Sequence, residues 1–82
     1  MKICIDERAY QGSAVEIMEQ LRQQTFDPTE YPDTESYIHQ LRSNFIRATD
    51  LDCPLPESGV EQQARTMFAH LAKAGALTIL DE

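Results

Sequence analysis

The chain has 82 residues, enough for one domain built around one core, and a domain of this size buries only about 60–65% of the surface its unfolded chain exposes. Hydrophobic residues make up 41% of it, the proportion of an ordinary globular chain, so folding requires neither a metal nor a disulfide. Fourteen Asp and Glu against seven Lys and Arg leave a formal charge of −7, which repels a phosphate backbone and argues against nucleic-acid binding.

Met1 leads straight into Ile3-Cys4-Ile5 without the pattern of a leader peptide, and no apolar stretch approaches the roughly 18–20 residues that span a bilayer. The expectation is a cytoplasmic protein with no membrane contact. Cys4 and Cys53 lack any C-x-x-C spacing and in a reducing compartment stay thiols, Cys4 as a small strand residue and Cys53 as a loop residue before Pro54. No internal repeat or low-complexity segment divides the chain, so residues 1–82 read as a single domain.

In MKICIDERAYQG the alternation places Met1, Ile3 and Ile5 on one face and Lys2, Cys4 and Asp6 on the other, the pattern of a strand with one wet face. A hairpin follows: Asp6 suits the first position of a type I turn, Glu-Arg is a poor primed pair, and the closure predicts Ile5 opposite Tyr10 with a second strand over Ala9 to Gln11. Ser13-Ala14-Val15-Glu16 is a capping box, after which Ala14, Ile17, Met18 and Leu21 share one helical stripe, predicting helix one to about Gln24.

Pro28 and Pro32 break the chain in a loop over Asp27 to Pro32, and Asp33 or Thr34 caps the next start. Tyr37, Ile38, Leu41, Phe45 and Ala48 then give helix two its buried side, to an end near Asp50. Ser58-Gly59-Val60-Glu61 repeats the capping-box pattern; Val60, Ala64, Met67, Phe68, Leu71 and Ala74 follow at helical spacing until Gly75 supplies a left-handed stop. Ala76 to Leu80 reads as a final strand that buries Leu77 and Ile79 by joining the edge of the hairpin. The predicted fold is α+β: a small three-stranded antiparallel sheet in ββαααβ order, covered on one face by three helices.

Chemistry-bearing patterns are scarce. With three glycines and no phosphate-loop, dinucleotide, H-E-x-x-H or EF-hand spacing, neither nucleotide nor cation chemistry has a motif. Cys4, Cys53, His39 and His70 are zinc-ligand types without paired spacing, so no metal and no cofactor is expected. Cys53 sits among Asp50, Asp52 and Pro54, and neighbouring acids raise a thiol pKa, which makes it a poor nucleophile. Asp50 and Asp52 read as turn residues at a helix end. The chain is not expected to be an enzyme.

One surface feature invites a partner. With the core stripe of helix two running through Tyr37, Leu41 and Phe45, Ile46 falls on the opposite side near His39, Arg42 and Ser43, at i−7, i−4 and i−3. An exposed Ile46 ringed by Arg42 and Arg47, with Tyr31 and Tyr37 near the helix start, makes an apolar and basic patch on an acidic protein. The functional expectation is a protein–protein interaction module in which His39, Arg42, Ile46 and Arg47 meet an unidentified protein partner or a second copy. The alternative is a winged-helix-like nucleic-acid-binding protein using the helix and strand over 59–80, whose donors would be Arg65, His70 and Lys73; a wing needs a further strand, and the sequence stops at Glu82.

Overall fold

The computed structural model describes residues 1–24 and 33–81; the loop read over Asp27 to Pro32, with Tyr31, lies outside them. The order is β1 (Lys2–Ile5), β2 (Arg8–Gln11), α1 (Ala14–Gln23), α2 (Thr34–Thr49), α3 (Val60–Lys73) and β3 (Thr78–Asp81). The strands form one antiparallel sheet in the order β2-β1-β3, with the helices packed against it. This is the ββαααβ α+β fold that the patterning predicts. No helix among the described residues is long and apolar enough to cross a membrane.

The hairpin closes one step tighter than predicted. Ile5 pairs with Arg8 and Ile3 with Tyr10, so Asp6 and Glu7 alone form the turn, with φ of 49° and 70°. Positive φ at both central residues defines the primed turn, whose twist matches the flanking strands and outweighs the cost of a left-handed Glu. The register differs from Ile5 opposite Tyr10 by two residues, which preserves the side-chain face. Ile3 and Tyr10 therefore still point into the core, and the Tyr10 hydroxyl donates to Gln24 Oε1 at 3.1 Å.

The helices start in three different ways. Ser13 caps α1 as a complete box: its Oγ accepts from Glu16 N and Glu16 Oε1 accepts from Ser13 N. At α2, Asp33 Oδ1 accepts from Ser36 N at 2.8 Å. The second box does not form: Gly59 is the N-cap of α3, without a side-chain cap, and Glu61 is drawn elsewhere. Its Oε2 accepts from Ala14 N and its Oε1 from Val15 N, each at 3.1 Å, and Arg65 Nε donates to Oε2 at 3.0 Å. A carboxylate at the start of one helix thus satisfies the first two orphan amides of another.

Helix ends explain the late third strand. Ala76 N donates to Leu71 O and Gly75 N to Ala72 O, the paired bonds of a Schellman stop, with Gly75 at φ 85° where a Cβ would be strained. Because Ala76 is spent on the cap, β3 starts at Thr78 rather than Ala76. One core joins all elements: Ile3 and Tyr10 from the hairpin, Ala14, Ile17 and Met18 from α1, Ile38 and Phe45 from α2, Ala64, Met67 and Phe68 from α3, and Leu77 leading into β3. Ala48 and Ala74, at the ends of their stripes, stand exposed.

Candidate functional site

α2 carries the residues assigned to the contact, and the structure separates them into two kinds. His39 and Arg47 are exposed, and His39 Nε2 lies 3.8 Å from Glu35 Oε1 one turn earlier. Arg42 and Ile46 are half-buried. Arg42 Nε donates to Cys53 O at 2.6 Å, and Ile46 packs against the core. The expectation of an exposed Ile46 is therefore corrected. Asp50 adopts φ 57°, a left-handed C-cap that ends α2, and Arg42 then ties the following loop to the helix on the side that the core stripe leaves empty.

The same loop carries Cys53 into the core. It is fully buried, its Sγ lies 3.8 Å from Met67 Sδ, and burial pushes its thiol up. A buried protonated thiol is neither nucleophile nor ligand. Cys4, His39 and His70 do not join it: among the described residues no three His, Cys, Asp or Glu side chains come together as a metal site. Cys4 lies on β1 with Ala9 and Thr78 as its cross-strand neighbours.

Beyond the loop lies an open groove of about 380 Å³ between the C-terminal ends of α2 and α3, lined by Phe45, Leu51, Asp52, His70, Lys73 and Ala74. The Phe45 ring is buried, and the His70 ring stands 6.0 Å from it, tilted by 50°. His70 Nε2 lies 3.3 Å from Pro54 O, a contact in which the ring N–H donates to the carbonyl. Leu51, 56% exposed, stands at the mouth of this groove. It escapes sequence reasoning because it follows the helix, lies between two aspartates and belongs to no periodic stripe.

The charges around α2 differ from those elsewhere on the helices. Arg22 is held by Glu19 and Arg65 by Glu61, both at 3.0 Å. Arg42, Arg47 and Lys73 have no carboxylate partner among the described residues. α3, the alternative reading helix, spends Ala64, Met67 and Phe68 on the core and its Arg65 on Glu61. β3 returns to pair with β1 at the centre of the sheet. In comparisons with protein-family models, curated proteins and solved structures, the chain matches none.

Proposed function

We propose that this chain is a cytosolic protein–protein interaction module without catalytic activity, and that its contact is the outer side of α2, through His39, Arg42, Ile46 and Arg47, toward another protein or a second copy. The observation that supports this reading is the state of the cations: on a chain of net charge −7, Arg42 and Arg47 have no carboxylate partner among the described residues, on the helix that also carries the exposed imidazole of His39. A rim of charge around a half-buried aliphatic residue is the composition of a small contact patch. Arg42 and Ile46 supply its rigid floor, because the loop and core hold them. His39 and Arg47 supply the groups that reach out. The buried, protonated Cys53 weighs against catalysis on that thiol, and the commitment of α3 to the core weighs against its use as a reading helix.

The test is affinity capture from native lysate with wild-type and Arg47→Glu baits, alongside sedimentation of each. Arg47 is exposed and outside the core, so its reversal leaves the fold intact, whereas Ile46→Asp would disturb packing. A specific partner, or a wild-type dimer, that is lost with a folded Arg47→Glu supports the reading. Equal retention by both baits, or a monomer that retains nothing, overturns it.

A further inference from the structure

We propose that the groove between the C-terminal ends of α2 and α3 binds a small apolar zwitterion, an α-amino acid with a branched aliphatic side chain. Its volume of about 380 Å³ falls in the range of small-ligand pockets, which are apolar clefts with a few polar groups at fixed positions. Phe45 and Leu51 provide an aromatic and an aliphatic surface, and His70 is fixed by Pro54 O.

The groove also carries two groups of opposite charge. On the α2 side stands Asp52, one of whose oxygens accepts from Cys53 N while the other has no described donor. A carboxylate favours an ammonium group. On the α3 side the situation reverses. The charged lining residue there is Lys73, whose ammonium favours a carboxylate. Asp52 and Lys73 line one groove and form no ion pair with each other. A ligand carrying both charges and an aliphatic side chain complements the carboxylate, the ammonium and the apolar lining together, whereas a simple anion or cation meets a like charge in the same groove.

The experiment is a titration of the full chain followed by ¹H–¹⁵N correlation spectra, with L-leucine, N-acetyl-leucine, which lacks the ammonium, and leucinamide, which lacks the carboxylate. The expected result is saturable shifts from L-leucine at Leu51, Asp52, His70, Lys73 and Ala74, with binding weakened about tenfold or more for each analogue that loses one charged hydrogen-bonding group. Asp52→Asn and Lys73→Met, both at exposed positions, are each expected to reduce L-leucine binding by a similar factor. The proposal is overturned by the absence of saturable shifts up to about 20 mM L-leucine, roughly twentyfold above a millimolar dissociation constant. Equal binding of the three compounds, or shifts confined to another surface, overturns it too. Because Arg47 is not a lining residue, a negative titration leaves the α2 contact standing, and a negative capture leaves the groove standing.

Discussion

The two ends of α3 are built on opposite terms. At its N-terminal end every early amide of α1 has an acceptor: Ala14 and Val15 donate to Glu61, Glu16 to Ser13 Oγ and Ile17 to Ser13 O. At its C-terminal end the groove keeps an exposed leucine, and a lysine and an aspartate that do not pair with each other. Charged and polar groups that satisfy one another hold elements together. Those left unsatisfied at a concave apolar surface are available to something else.

The largest expected effect comes from breaking the closed end. Glu61→Ala leaves two part-buried amides without acceptors and is expected to cost about 2–3 kcal/mol in denaturant unfolding; a loss under about 0.5 kcal/mol would show that water replaces the carboxylate at no cost. The same residue sets a pH response. Burial pushes the Glu61 carboxyl up, but the amides of Val15 and Ala14 and the Arg65 guanidinium outweigh this and hold it below the usual glutamate value. A pKa depressed on folding contributes stability that is present above the unfolded value, about 4.3, and is lost as pH falls through the folded one. The stability gap between wild type and Glu61→Gln is therefore expected to be full at pH 7 and to shrink below about pH 4.3. A gap that stays constant through that range would remove the carboxylate's role.

A smaller effect sharpens the comparison within one motif. Ser13→Ala removes a working cap and is expected to cost about 1 kcal/mol, while Ser58→Ala, in the same sequence pattern, is expected to change stability by less than about 0.5 kcal/mol. Equal losses would mean that Ser58 caps α3 after all. The smallest effect is expected at the open end: Asp52→Asn and Lys73→Met should each stay within about 0.5 kcal/mol of wild type in thermal or denaturant unfolding. A larger loss would reveal that the groove residues support the fold.

Much of the fold is legible because it rests on local periodicity. The alternation of Met1, Ile3 and Ile5 and the stripes through Ile17, Ile38, Ala64 and Phe68 depend only on neighbours along the chain, and the strand and helix repeats follow from them. The tight turn is not legible in the sequence because Glu7 has little intrinsic preference for a left-handed conformation; the pairing of Ile3 with Tyr10 over the core imposes it. Of the α2 contact, the sequence places His39 and Arg47 on the surface. It does not reveal that Arg42 is tied to a loop or that Ile46 packs against the core, since nothing local says where residues 51–59 run.

By itself, then, the sequence determined the order of elements, the Ser13 cap, the Gly75 stop and most of the core, all of which are settled within a few residues by backbone sterics and hydrophobic spacing. Tertiary structure decided where Glu61 spends its carboxylate, that Cys53 is interior, and that Leu51 stands at the mouth of a groove between two helix ends. Each of these depends on groups far apart in sequence meeting in space. A carboxylate in reach of two sets of amides caps the set that packing leaves without another acceptor.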